Sequence, residues 1–398
     1  MVKAGARIEL TTDEYLQQLL NLVRPIVSTE MVPVRQCLAR VLTDDVHARL
    51  AIPPFTNSAM DGFAVRVGDG SPLPIAGAVF AGDSPAPLAP CTAVKIMTGA
   101  PLPAGADSVV PIEDCEEADG LVRFATPVRP GQHVRLAGED RQPGDKLIAK
   151  GALLAARHLA AAAAAGLTEL PVAKKALISI IVTGDEVALG GANIGPGQLP
   201  DSNGPFLEAA IAKAGCVAAL AHSRDDNASL KSALDEARNA DLVVITGGAS
   251  VGDHDIARDV LGEAGGQFVH VAMQPGKPQG YGYWRGTPVI ALPGNPVSVA
   301  VSCAVFVRPV LQALLGQTPG PQLWCVASQP WSSPNGRRQF MPVALSQDTQ
   351  GHVNARPATT GGSASHYVGS LAMADALAIV PQEVTQVQPG DLLEYVDL

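Results

Sequence analysis

The densest chemistry in this chain lies in residues 241–252 and in the three that follow, Asp253, His254 and Asp255. Val243, Val244 and Ile245 form a short β-branched run, of the kind buried on both faces of a parallel sheet. The run leads straight into Thr246, Gly247, Gly248 and Ser250. Small residues there leave backbone N–H groups and hydroxyls open at the carboxyl end of a strand, where open α/β sheets bind ligands. An anion cradle beside two carboxylates points to a phosphate-bearing ligand and a metal cation in one cleft. Two further loops have the same character: Thr183-Gly184-Asp185-Glu186 and Pro293-Gly294-Asn295-Pro296-Val297-Ser298. Pro296 suits the first turn of a helix, where a missing N–H costs nothing and its neighbours can face an anion. Each loop alone is an ordinary turn or cap; three of them along one sheet edge make a ligand site. Lys277, set among Pro275, Gly276 and Pro278, reads either as a phosphate contact or as a solvated surface lysine.

Acidic residues gather in the same loops. Glu186, Asp226, Asp253 and Asp255 belong here, and Asp61 and Asp140 lie upstream. Asp226 and Asp255 can also be helix caps, and Asp61-Gly62 a turn. If several converge, caps do not account for them. Two carboxylates about 5 Å apart repel by about 3 kcal/mol at an effective dielectric near 20, so a cluster needs a cation. Hard oxygen donors without a His/Cys set point to Mg²⁺. The chain has no GxxxxGK[ST] and no GxGxxG after a strand, which excludes a P-loop NTPase and a classical dinucleotide oxidoreductase. Its six cysteines all lie more than four residues apart. That rules out zinc-finger spacing, and scattered thiols fit a reducing cytoplasm.

These loops need a scaffold, and 398 residues with 47% hydrophobic and 17% charged content allow two to four domains with sizeable cores. The apolar spacing predicts an amphipathic helix from Ile8 to Val23, with Thr11 and Glu14 as its capping box. A second helix is expected from Val34 to Leu50, closed by Pro53 and Pro54. Between 51 and 140 frequent prolines and glycines with short β runs predict an inserted β-rich domain. An Ala-rich helix at 152–166 then restores helical character, so 1–50 and 141–175 read as one discontinuous helical domain, whose Ala-rich helix suits either a dimerisation surface or packing within the chain. From 176 to 319 strands and helices alternate, as in a doubly wound parallel sheet. Residues 320–398 read as a small all-β domain. A net charge of −10 disfavours general binding to nucleic acid or anionic membrane. The Ala-rich segment from Leu153 to Leu167 is too short to span a bilayer.

Together these segments resemble the molybdopterin molybdenumtransferases, the MoeA/gephyrin-E group. The matching motifs are Asn57-Ser58-Ala59-Met60-Asp61-Gly62-Phe63-Ala64, Ile96-Met97-Thr98-Gly99-Ala100-Pro101, Gly105-Ala106-Asp107-Ser108-Val109-Val110 and Gly138-Glu139-Asp140. They continue with Thr183–Glu186, Thr246–Gly252, Pro275-Gly276-Lys277-Pro278 and Leu292–Ser298. The resemblance runs from about residue 8 to the end. It implies an α/β multidomain protein: a MogA-like doubly wound domain, the discontinuous helical domain, the inserted β domain and a C-terminal small β-barrel. It also implies a cytoplasmic homodimer whose cleft joins the α/β domain of one subunit to the inserted domain of the other.

The implied reaction is Mg²⁺-dependent insertion of molybdate into adenylylated molybdopterin with release of AMP. The molybdopterin adenylyltransferase is implied as a further partner. Carried over by motif, Asp61, Asp140, Glu186, Asp226 and Asp255 take catalytic places, with Mg²⁺ on Glu186, Asp255 and Asp61. Thr98, Arg135, Thr183, Gly247, Gly248, Ser250, Lys277, Pro293, Gly294, Asn295 and Pro296 take substrate-binding places. Arg337, Arg338 and Ser365 resemble substrate-facing positions of the last domain. One position departs: many relatives carry lysine at Gln274, which leaves the oxyanion one charge short unless Arg135 compensates. Two rivals stay open, a molybdopterin adenylyltransferase and a non-catalytic gephyrin-like scaffold. The domains outside the α/β unit weigh against the first, and the intact acidic set against the second.

Overall fold

The computed structural model describes residues 9–26, 28–124, 127–188, 190, 194–247, 255–359 and 362–398. Its centre is a seven-stranded sheet in the order Glu9–Leu10, Gln267–Val271, Pro278–Trp284, Thr287–Leu292, Leu242–Thr246, Leu177–Thr183, Val217–Ser223. The central runs are rich in β-branched residues and buried throughout except at Leu177, as two-sided strands require. Helices Thr12–Leu20, Asn203–Lys213 and the 296–315 segment cover one face with Tyr15, Leu19, Leu207, Ile211, Phe306 and Leu311. Helices Asn227–Glu236 and Ile256–Glu263 cover the other with Leu230, Leu234, Val260 and Leu261. The domain is therefore doubly wound.

The sheet is not wholly parallel. Pro278–Trp284 runs antiparallel to both of its neighbours, and all other pairings are parallel. Its glycines and proline conceal it in the sequence, yet the glycines have a packing reason. A Cβ on Gly280 would stand 2.6 Å from the ring of Phe268 across the ladder.

The 296–315 segment is one continuous rod: Pro296–Ser302, a π-helical turn at Cys303–Val307, then Arg308–Leu315, closed by Gly316 at φ 64°. It is long and apolar enough to cross a membrane, but 72% of that window is buried inside the protein.

The first domain is discontinuous as expected, because Cys37, Leu42, Leu154, Leu170 and Val172 share one core. It is much less helical than expected. The predicted helix from Val34 to Leu50 is a single 3₁₀ turn, Val34–Gln36, followed by bridges and the short strand Val46–His47. Leu38 is 61% exposed and Ala39 adopts φ 59°, so the apolar spacing there marked no helix face. The backbone instead pairs with 146–173, as Thr29–Pro33 does with Glu169–Ala173. The Ala-rich helix is Ala156–Ala164. The N-terminal helix does carry its capping box, with Glu14 N donating to Thr11 Oγ1 and Thr11 N to Glu14 Oε2. It packs into the α/β core rather than into the first domain.

The inserted domain is a six-stranded sheet built from Gly62–Val65, Leu73–Val79, Ala93–Ile96, Ser108–Pro111, Cys115–Ala118 and Leu121–Phe124. At the C-terminus five strands close into a barrel: Leu323–Ala327, Arg338–Gln347, Val353–Pro357, Ala376–Val380 and Leu392–Asp397.

Candidate functional site

The chain runs from the central strand Leu177–Thr183 outward to the edge strand Val217–Ser223. It then returns to Leu242–Thr246 on the other side of its starting strand. Strand order reverses between 177–183 and 242–246, and such a switch point opens a crevice at the carboxyl ends. A cleft of about 800 Å³ lies there. Thr183, Glu186, Asp226, Gly247, Gly294, Asn295 and Pro296 line it, all of them singled out in the sequence.

Gly247 is required where it stands. It adopts φ +95°, and a Cβ there would stand 2.5 Å from Thr183 Oγ1 and 2.6 Å from Thr183 O. Asn295 is the N-cap residue of Pro296–Ser302, with proline in its first turn. Its Nδ2 donates to Ser365 Oγ at 3.1 Å, and Val297 N donates to Ser365 O at 3.0 Å. A residue of the C-terminal domain thus braces the third loop. Pro293 O accepts only a long bond from Thr246 Oγ1, at 3.4 Å.

The acidic residues have distinct surroundings. Asp226 caps its helix by accepting from Ser229 N at 2.8 Å and Ser229 Oγ at 2.7 Å, and these bonds lower its pKa. The backbone N–H groups of Asp185 and Asp225 each donate to the other's carboxylate, at 3.1 and 3.3 Å, which ties the first loop to the end of Val217–Ser223. Asp255 is only 3% exposed and is not among the cleft-lining residues, although the next residue, Ile256, is. Its Oδ1 accepts from Arg258 N at 3.1 Å, and among the described residues its Oδ2 has no hydrogen-bond partner. Burial pushes its carboxyl up to about 6, against the Arg258 contacts that lower it. Asp226 and Asp255 are therefore caps, as one sequence reading allowed; Asp226 lines the cleft and Asp255 does not.

Four predicted residues lie on the inserted domain and do not line this cleft. Asp61 Oδ1 accepts from Thr98 Oγ1 at 2.7 Å and Thr98 N at 2.6 Å, and this pair of bonds lowers its pKa. Arg135 sits on a short strand paired with Asn57–Ser58, and is exposed. Asp140 is exposed and paired with Arg141 at 2.9 Å. Within one chain the expected metal set of Glu186, Asp255 and Asp61 is not brought together. Among the described residues no three His, Cys, Asp or Glu side chains gather to hold a metal. The physical reason is that Asp61 belongs to a separate domain.

Lys277 sits at the same sheet edge but outside the cleft lining, 3.7 Å from the Glu9 carboxylate. Beside it Met273–Gln274 pairs in parallel with Arg338 and Gln339 of the barrel. Arg338 is committed to Asp13 through two bonds, at 2.6 and 3.2 Å. Gly248 and Ser250, with Asp253 and His254, lie outside the described residues.

Sequence reasoning missed Asp201, Asn203, Asp225 and Asp259, which also line the cleft. The signal for two of them was present: Asp201-Ser202-Asn203-Gly204 is a run of capping residues directly before an apolar helical segment.

The α/β unit, with its cleft at the switch point, falls in the class of ligand-binding doubly wound domains. Residues 179–313 match the family model described as a probable molybdopterin binding domain. Residues 10–166 match the MoeA N-terminal region (domain I and II), and 325–398 the MoeA C-terminal region (domain IV). Molybdopterin molybdenumtransferase 2 of Mycobacterium tuberculosis is 39% identical over 96% of this chain and 97% of its own. The molybdopterin molybdenumtransferase of Haemophilus influenzae is 31% identical over 96% and 97%. The crystal structure of the molybdopterin biosynthesis MoeA protein from Pyrococcus horikoshii superposes with TM-score 0.82 at 26% identity, over 98% of this chain and all of that one. The chain belongs to the MoeA family of molybdopterin molybdenumtransferases, the transferases of molybdenum cofactor biosynthesis.

Proposed function

We propose that this chain inserts molybdenum from molybdate into adenylylated molybdopterin, releasing AMP, in a cleft completed by a second copy of itself. The observation that carries this reading is the cleft at the switch point, lined by the turns at Gly247 and Gly294 together with Glu186 and Asp226, with the buried Asp255 next in sequence to its lining residue Ile256. The unpartnered Oδ2 of Asp255 fits a divalent cation, since burial alone disfavours its charge and a cation would restore it. Glu186, Asp255 and Asp61 of the partner subunit would hold Mg²⁺. When bound, the ion neutralises phosphate charge and polarises the phosphoanhydride.

The chain's own residues do the rest by positioning. The turns at Gly247 and Gly294–Pro296 present backbone N–H groups to the anionic substrate. Thr98 keeps Asp61 ionised through its two bonds. Exposed Met60 and Leu136, adjacent in sequence to Asp61 and Arg135, supply apolar surface for a partner to cover. Lys277 and Arg135 are the cations for the oxyanion. No protein nucleophile is needed, because oriented binding and charge neutralisation supply the acceleration. The substrate would come from a molybdopterin adenylyltransferase. Six unpaired cysteines suit the cytoplasm.

The test is complementation between subunits. Asp61→Asn and Glu186→Gln homodimers should each be inactive in AMP release and molybdenum incorporation. Mixed and reassorted, they should recover about a quarter of wild-type activity, since half the dimers are mixed and each has one intact site. No recovery on mixing, with both variants folded and exchanging, refutes the shared cleft.

A further inference from the structure

The run Asp201-Ser202-Asn203-Gly204 takes no part in the acidic set or the anion-facing loops, yet its polar atoms reach three strands. Asp201, whose side chain is 4% exposed, accepts from Gly204 N at 2.9 Å and from His222 Nε2–H at 3.0 Å. This fastens the start of helix Asn203–Lys213 to the edge strand Val217–Ser223. Asn203 Nδ2 donates to Gly294 O at 2.8 Å and to Thr246 Oγ1 at 3.0 Å. One amide thus joins the carboxyl ends of Leu242–Thr246 and Thr287–Leu292. The two turns it joins are almost in contact, because a Cβ on Gly294 would stand only 3.4 Å from Gly247 Cα. Both partners act as acceptors here, so the bridge needs two N–H donors on one short side chain. Asparagine has them; a carboxylate of the same shape has none. The Oδ1 of Asn203 is buried and has no partner among the described residues, so the amide is held by its donating side.

We propose that Asn203, braced by the His222–Asp201 pair, is a positioning residue for molybdenum transfer that sets the gap between the two anion-facing turns. This rests on the cleft being the place of transfer. A shift of about 1 Å in a reacting geometry costs about 100-fold in rate, and that sets the scale of the test.

The experiment compares steady-state kinetics of Asn203→Asp, His222→Phe, His222→Gln and Glu186→Gln, with folding checked by circular dichroism. Asn203→Asp should lose about 100-fold in kcat with KM nearly unchanged. His222→Phe should lower kcat in the same direction, and His222→Gln, which keeps a donor for Asp201, should recover most of that loss. A wild-type kcat in Asn203→Asp overturns the proposal, as does a loss confined to KM. Equal losses in the two His222 variants overturn the bracing role. The histidine pair decides the matter should Asn203→Asp fail to fold. Full activity in Glu186→Gln removes the cleft from the reaction and overturns both readings. An inactive Glu186→Gln beside a fully active Asn203→Asp overturns only the role of Asn203.

Discussion

Asp255 places an ionisable carboxyl where the fold prefers it neutral, and that preference has a measurable size. Its pKa is raised from the ordinary 3.8 to about 6, with burial as the main cause. At roughly 1.4 kcal/mol for each pH unit, this corresponds to about 3 kcal/mol. The folded chain holds this proton more tightly than the unfolded chain does. Its contribution to stability is therefore fully present below about pH 3.8 and is lost as the pH rises through about 6. Asp255→Asn keeps the shape and can still accept from Arg258 N as a helix cap, but it cannot ionise.

The assay is urea unfolding of both proteins in a metal chelator at about pH 4 and about pH 7.5. Comparing each protein with itself across pH cancels packing changes and all shared titrations. The wild type should lose about 2–3 kcal/mol more than the variant between the two conditions. Adding Mg²⁺ at the higher pH should stabilise the wild type and leave Asp255→Asn nearly unmoved. Equal pH slopes would refute the claim that this carboxylate is buried against its charge, and with it the argument that a cation belongs there.

Three other outcomes follow from local geometry. Gly247→Ala should cost more than about 2 kcal/mol, combining left-handed strain with the close approach to Thr183, and thermal unfolding will read it. Thr98→Val removes the hydroxyl that donates to Asp61 and should raise the Asp61 pKa towards the ordinary carboxylate range, measured by NMR titration. Asp226→Ala removes the bonds to Ser229 and should cost about 1 kcal/mol in urea unfolding.

Local chemistry was legible in this sequence wherever one interaction type dominated. Val243–Ile245 could only be buried, and it is the middle of a central strand. Thr11 and Glu14 were spaced for a reciprocal cap and form one. The mostly buried rod after Pro296 and the strand ends at Thr183 and Thr246 were also readable, because small residues after β-branched runs have few other uses. Legibility failed where distant partners decided the outcome. Leu38, Val41 and Leu42 matched a helical period, but the pairing of this segment with 146–173 overrode it. Pro278–Trp284 carried no strand signal because its glycines answer to Phe268 and Gly266 across the ladder, not to local preference. Asn203 was hidden for a third reason. Its role depends on where two strand ends meet, and no neighbour in sequence records that.

The contacts of Ser365 with Asn295 and Val297, and the short ladder of Met273–Gln274 with Arg338 and Gln339, have a practical corollary. The barrel is spliced into the rim of the sheet at two loops, so it acts as a bracket rather than as a passenger at the end of the chain. Cutting the chain after the 296–315 rod would free both loops at once. An excised α/β unit would lose the alignment of the rim where chemistry is to occur, and it would bare the part of its core that Phe340 and Leu377 of the barrel fill.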